Sequence, residues 1–274
     1  MAAAVSNAEV REFWEAHPVA ADAIAAEPGS AAFFAAFDRL REEDACEPYG
    51  FSNLVHGYES AAGKRVLDIG CGNGYVLSRY ARHGAVVSGI DLTERALDLS
   101  RRRFALEGLS GEFRRTDGDA IPYPDASFDI VCSMGVLHHV EDPRPMLREA
   151  ARVLRPGGEL ILMLYHRDSW KYRVLLPLRR WLDPRYRGKS QQQALNMNDG
   201  AECPLAKVYS RAEARALLAG FTDIRFSVNQ LSWKQLLLLA PLARLLQPLL
   251  PPASQSFFAR RLGWNLYIQA KKPA

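Results

Sequence analysis

A glycine-rich turn between an apolar run and a helical pattern constrains this 274-residue chain more than any other feature. The run is Val66-Leu67-Asp68-Ile69, and Gly70-Cys71-Gly72-Asn73-Gly74 follows it. Apolar Val66, Leu67 and Ile69 read as a buried strand. Gly70, Gly72 and Gly74 supply a turn into a helix where backbone can lie against a ligand. Asp91 closes the next apolar run, Val86 to Ile90. An acid ending the second strand of a βαβ unit can hold a ribose through both hydroxyls. The pattern therefore predicts a nucleoside-containing cofactor. Asp68 narrows the choice: a carboxylate there would repel a pyrophosphate but pair with an ammonium group. That favours a cationic, amino-acid-bearing nucleoside over NAD.

Around this unit the pattern alternates. Strands are expected near 65–70, 85–91, 111–116, 128–133 and 159–165, and helices near 74–83, 93–106 and 143–154. Such alternation implies an α/β fold with a doubly wound, mostly parallel sheet. Pro156-Gly157-Gly158 is expected to stop the third of these helices. Ser210-Arg211-Ala212-Glu213 has the form of a capping box and starts a helix to Gly220. Asp223–Asn229 and Gly263–Ala270 read as the last strand pair. Residues 1–60 precede the nucleoside-binding unit and contain two helical patterns, Val10–Trp14 and Ala31–Leu40, the second with Ser30 as N-cap. They are expected to form a helical cap or lid before a domain spanning 61–274. Two stretches, 167–206 and 231–262, are longer than the connections require and read as helical insertions.

Several ordered motifs between Gly63 and Leu164 resemble the class I S-adenosylmethionine (SAM)-dependent methyltransferases of the UbiE-like kind. They are the glycine loop, Gly89-Ile90-Asp91-Leu92, Gly118-Asp119-Ala120-Ile121-Pro122-Tyr123, Ser127–Val131, Gly135-Val136-Leu137-His138-His139 and Arg152–Gly158. The resemblance implies a Rossmann-like, seven-stranded sheet whose last strand is antiparallel, N-terminal helices over the site, and SAM as cofactor. It places the cofactor against Asp68, Gly70, Cys71, Gly72, Gly74, Asp91, Leu92, Asp119, Ala120, Ser133 and Val136. Asp68 would meet the amino group, Asp91 the ribose diol with Leu92 under the adenine, and Asp119 the adenine amino group.

His138 ranks first as a general base or acceptor-orienting group, ahead of His139, because an acceptor O–H or N–H must lose its proton around methyl transfer. Tyr165 and His166 end the fifth strand at the same rim and are the other catalytic candidates. Tyr49, Phe51, His56 and Tyr58 are placed either over the site or in packing. Asn196, Asn198 and Tyr209 flank the first insertion and are candidates to orient a polar acceptor. Transfer from a sulfonium is downhill, so alignment and water exclusion carry much of the rate and a dedicated base is not required.

The expected reaction is methylation of an O, N, C or S nucleophile on a small, possibly hydrophobic molecule. Basic and apolar residues mix in 167–182, and 236–250 is leucine-rich. These leave open a quinone- or lipid-like acceptor at a membrane surface, peripheral membrane contact, or a homodimer. A SAM-binding regulatory protein without catalysis is the rival from another class. Net charge is only +4 and spread along the chain, with no nucleic-acid-binding module, so no nucleic-acid partner is expected. Four cysteines show neither a CxxC pair nor zinc spacing, so no metal is expected. Their use fits a reducing cytoplasm, and no run is both long and apolar enough to span a bilayer, which takes about 20 residues.

Overall fold

The computed structural model describes residues 5–43, 46–237, 249–250 and 252–274. Eight strands form one sheet: β1 (Arg65–Ile69), β2 (Val86–Asp91), β3 (Glu112–Arg115), β4 (Phe128–Met134), β5 (Leu154–His166), β6 (Val208–Tyr209), β7 (Thr222–Asn229) and β8 (Asn265–Lys271). Their order is β3-β2-β1-β4-β5-β8-β7, with β6 beside β5. β1 to β5 run parallel, and β8 is antiparallel to both β5 and β7. Seven strands match the expected sheet. The eighth, β6, pairs Tyr165 with Val208 and His166 with Tyr209. Two residues carry no alternation signal, so β6 was not legible in the sequence. Because β8 already flanks Tyr165 on one side, β6 continues the β4 edge beyond the end of β4 at Met134.

Period-two alternation splits the core into two layers. Leu67, Val131, Leu160 and Leu162 face α6 (Arg144–Val153) and the helix Arg211–Leu217, burying Leu147, Ala150 and Ala214 against them. Val66, Ile130, Cys132 and Ile161 face α4 (Tyr75–Arg82) and α5 (Glu94–Leu106). The α6 helix ends at Val153, before Pro156-Gly157-Gly158; those residues run inside β5, which pairs with β4 from Leu154 onward. Ser210 forms the expected capping box, but its helix ends at Leu217 rather than Gly220.

Residues 5–60 hold three main helices, not two: α1 (Asn7–Ala16), α2 (Ala31–Glu42) and α3 (Tyr49–His56). Ser30 caps α2 by accepting from the Phe33 amide, and Phe33, Phe34 and Phe37 join the α4–α5 layer. Fully buried Arg103 of α5 fixes that junction. It donates to Asp38 at 2.8 Å and to the Asn73 carbonyl at 2.9 Å, and lies over the Phe34 ring. His56 and Tyr58 stack on each other and pack on Tyr80 of α4, so these two aromatics are core and not part of a lid. Of the three helices, α1 supplies described residues to the cavity at the carboxyl ends of the strands, followed by Pro18 and Val19.

The 167–206 stretch has its own small core, in which Leu176, Tyr186, Leu195 and Val208 pack on Tyr165 and Trp264. Part of the leucine-rich second insertion, residues 238–248 and 251, lies outside the described residues. No helix among the described residues is long and apolar enough to cross a membrane.

Candidate functional site

A cavity of about 330 Å³ opens at the carboxyl ends of β1, β2 and β4, within the size range of small-molecule sites. One end is walled by the glycine loop, Asp91, Leu92, Thr116 and Asp119; the other by Trp14, Met134, Val136, His139 and Met146. Asn7, Val10, Pro18 and Val19 roof it from the N-terminal segment. Parallel sheets bind ligands at this edge because the connections there diverge.

At the first end, Asp91 is held from three directions. Its Oδ2 accepts from the Gly72 amide at 3.1 Å, and its Oδ1 accepts from the amide and hydroxyl of Thr93 at 3.0 and 2.9 Å. Thr93 in turn caps α5 by accepting from Ala96. Burial pushes the Asp91 carboxyl up from its ordinary value, and these hydrogen bonds oppose the shift. With two donors already on Oδ1 and one on Oδ2, Oδ2 keeps lone-pair capacity for a hydroxyl donor. Asp119 lies across the cavity mouth and accepts from the Asn7 side chain at 3.4 Å, which ties α1 to the wall.

The loop itself is turned inward. Gly70 and Cys71 amides donate to the Ile90 carbonyl, Gly72 to Asp91, and Gly74 to the Cys71 carbonyl. Three residues adopt positive φ: Gly70 at 74°, Gly72 at 56° and Gly74 at 75°. A Cβ on Gly70 would stand inside contact range of Val136, 2.8 Å from Cγ1, whereas one on Gly72 would meet open space. Asn73 supplies the free donor. Its Oδ1 accepts from the Tyr75 amide, while its Nδ2 is buried in the wall without a partner.

At the other end, a single 3-10 turn, Leu137–His139, carries both histidines. His139 lines the cavity under Trp14, with ring centroids 5.2 Å apart edge to face. Its Nδ1 lies 2.7 Å from the Leu205 carbonyl. A carbonyl only accepts, so Nδ1 carries the proton and Nε2 keeps its lone pair. Burial lowers the His139 pKa from its ordinary value, opposed by the charge of Asp199, so the ring is neutral near pH 7.

The family profile described as "Methyltransferase domain" matches residues 67–162. Those residues are similar to a methyltransferase domain. The chain is 41% identical over 107 residues to the ubiquinone biosynthesis O-methyltransferase of Hahella chejuensis, covering 39% of this chain and 45% of that protein. It is 43% identical over 104 residues to the 27-O-demethylrifamycin SV methyltransferase of Amycolatopsis mediterranei, covering 37% and 38%. The chain spans about half the length, or less, of the curated relatives it matches. A solved SAM-dependent methyltransferase from Methanosarcina mazei aligns at a TM-score of 0.56 and 24% identity, covering 80% of this chain and 97% of that one.

Within residues 67–162, Gly70, Gly72, Asp91, Leu92, Asp119 and Val136 stand in the cavity wall. Five expected contacts do not. Asp68 shares the face of Val66, so its carboxyl is buried toward α4, and burial holds its pKa well above the usual range. Cys71 packs in the same layer, its thiol near the Ser100 hydroxyl. Ser133 donates to the Ile69 carbonyl at 3.0 Å, beneath the loop. Gly74 serves as N-cap of α4 against Ser100, and Ala120 lies past the turn.

All three expected catalytic side chains lie outside the cavity wall. His138 is buried against Tyr165, with centroids 3.8 Å apart, and burial pushes its pKa well below the ordinary value. Tyr165 donates to Asp199 Oδ1 at 2.5 Å. His166 Nδ1 donates to the Gly263 carbonyl at 3.1 Å. The reason is β6: it covers the end of β5 where a shorter connection would have left a rim. Asn196 and Asn198 likewise tie the insertion together, bonding Pro204 and Tyr165, and Tyr209 is half of β6. Asn7, Trp14, Asn73 and His139 occupy the wall instead. From sequence, His139 ranks second to His138 and Asn73 lies inside the glycine loop, whereas Asn7 and Trp14 leave no sequence signal.

Proposed function

We propose that this chain transfers the methyl group of SAM to a hydroxyl of a flat, largely apolar small molecule, releasing S-adenosylhomocysteine. One observation carries the reading: a single cavity joins the paired carboxylates of Asp91 and Asp119 to a neutral histidine under a tryptophan. The donor set fits the cofactor. Asp91 would take the ribose diol, Asp119 the adenine amino group, and the unpartnered Asn73 Nδ2 the methionyl carboxylate. When bound, the cofactor supplies an electrophilic methyl on a sulfonium.

His139 does what remains. Its Nε2 would accept the acceptor's hydroxyl proton, while Leu205 fixes the tautomer through Nδ1. Trp14 lays an apolar face over the acceptor and excludes water. In this reading α1 is the lid, and α2 and α3 belong to the packing of the domain. Both named relatives are methyltransferases, and the first is an O-methyltransferase by name, which supports oxygen as the nucleophile.

A quinone- or lipid-like acceptor met at a membrane surface is a second version of the same reaction. Trp181 and Leu182 favour it, at 76% and 59% exposed beside Arg179.

The test is transfer from methyl-labelled SAM into fractionated small-molecule and lipid extracts, with Asp91→Ala as the binding control. Label in one wild-type-specific product is expected, and the solubility of that product separates the two acceptors. Tight SAM binding that Asp91→Ala abolishes, with no fraction labelled, would overturn the catalytic reading in favour of a regulatory SAM-binding protein.

A further inference from the structure

On the Nδ1 side of His139, three side chains of metal-ligating type converge, two of them from the 167–206 insertion. They are His139, Asp199 and Cys203, and one ligand atom of each lies within 4.8 Å of the others. Cys203 Sγ is 4.0 Å from His139 Nδ1. Asp199 and Cys203 are presented together by one turn, in which the Cys203 amide donates to the Gly200 carbonyl. His139 and Cys203 are each 4% exposed.

The internal hydrogen bonds leave this cluster incomplete. Asp199 Oδ1 is satisfied by Tyr165 and by Asn198 at 3.2 Å. Its Oδ2 is a buried atom with no hydrogen-bond partner. Buried carboxylate oxygens are rarely left so, because the lost hydration is not replaced. The neighbouring ammonium, Lys171, stands 4.5 Å over the Trp264 ring and is pushed down to about 8 by burial. The His139 ring and Cys203 thiol both lean on one acceptor, the Leu205 carbonyl.

We propose that His139, Asp199 and Cys203 form a site for a zinc-type transition metal ion. One nitrogen, one oxygen and one sulfur ligand suit zinc, whose structural and catalytic sites mix these donors at about 2.0–2.3 Å. Tetrahedral angles at those bond lengths put sulfur and nitrogen about 3.6 Å apart, so the 4.0 Å separation closes with a small shift. Binding forms metal–sulfur, metal–nitrogen and metal–oxygen bonds and releases the Cys203 thiol proton to solvent. The ring proton of Nδ1 leaves Leu205 and reappears on Nε2. The cavity face of His139 then changes from acceptor to donor. Metal-loaded His139 would therefore no longer take the acceptor's proton, so metal binding should oppose methyl transfer, while the metal site itself is read by spectroscopy without turnover.

Cobalt(II) added to the full, metal-stripped chain is the probe. One cobalt per chain is expected, with an intense near-ultraviolet thiolate-to-metal band and visible bands of tetrahedral strength. Cys203→Ser and Cys203→Ala should both remove the thiolate band, Asp199→Asn should weaken binding at least ten-fold, and Cys46→Ser should leave it intact. Circular dichroism and melting show whether each variant is folded. Zinc-edge X-ray absorption of the wild type needs no variant, and should show one sulfur among nitrogen and oxygen ligands. No thiolate band at stoichiometric cobalt, a band that survives in folded Cys203→Ala, or a sulfur-free zinc shell would overturn the site.

Discussion

Gly70 and Gly72 sit two residues apart with similar positive φ, yet alanine at each should fail in a different way. Both substitutions meet the left-handed penalty of about 1–2 kcal/mol for a residue with a Cβ. At Gly70 the added carbon also drives into Val136, 2.8 Å from Cγ1. Forcing an extra carbon into packed structure costs about 1–3 kcal/mol. Gly70→Ala should therefore cost roughly 2–5 kcal/mol and Gly72→Ala only the left-handed penalty. At about 2–4 °C per kcal/mol for a domain of this size, Tm should fall by roughly 4–20 °C in the first and 2–8 °C in the second. Val136→Ala is the control. It removes the colliding methyls, so the double variant Gly70→Ala/Val136→Ala should recover about 1–3 kcal/mol relative to the sum of the singles. Urea unfolding of the four proteins measures this coupling. Gly72→Ala carries the opposite signature, because its methyl stands in open space in a loop that lines the cavity. It should weaken SAM binding, read by calorimetry, out of proportion to its small stability loss. Equal destabilisation of the two glycine variants, with a strictly additive double variant, would refute the packing argument.

His139→Gln should lower kcat by roughly 10²–10⁴-fold, the range for a positioned base, while leaving SAM affinity near wild type; single-turnover kinetics with an identified acceptor checks it. His56 should make the fold acid-sensitive. Burial lowers its pKa from 6.5 to about 4, so the unfolded chain takes up a proton below pH 6.5 that the folded one refuses. The stability it confers is complete above pH 6.5 and is lost as pH falls toward 4, by about 3 kcal/mol at 1.36 kcal/mol per unit. His56→Phe keeps the stack on Tyr58 and removes the titration, so its melting temperature should fall less between pH 7 and 4.5 than that of the wild type.

The strand-and-helix rhythm was legible because burial on both faces of a sheet leaves an apolar, period-two record in each strand. Asp91 was legible too: an acid at the end of β2 has one place to go once the glycine turn precedes it. The opposite end of the cavity was not. His138 and His139 are adjacent in sequence, and spacing cannot say which ring a 3-10 turn sends into the core. Tyr165 and His166 look like rim residues until β6 is known, and β6 is two residues long. Trp14 belongs to a helix whose own pattern says only that one face is buried.

By itself the sequence determined the sheet, its winding and the glycine-loop end of the cavity. Those depend on local periodicity and on a glycine turn whose backbone angles few other residues adopt. Tertiary structure alone decided which residues roof the cavity and which back His139. Asn7 and Asp119 are 112 positions apart, and Cys203 and His139 are 64 apart. Contacts of that range depend on how α1 and the 167–206 insertion dock on the sheet, and no residue spacing along the chain encodes it.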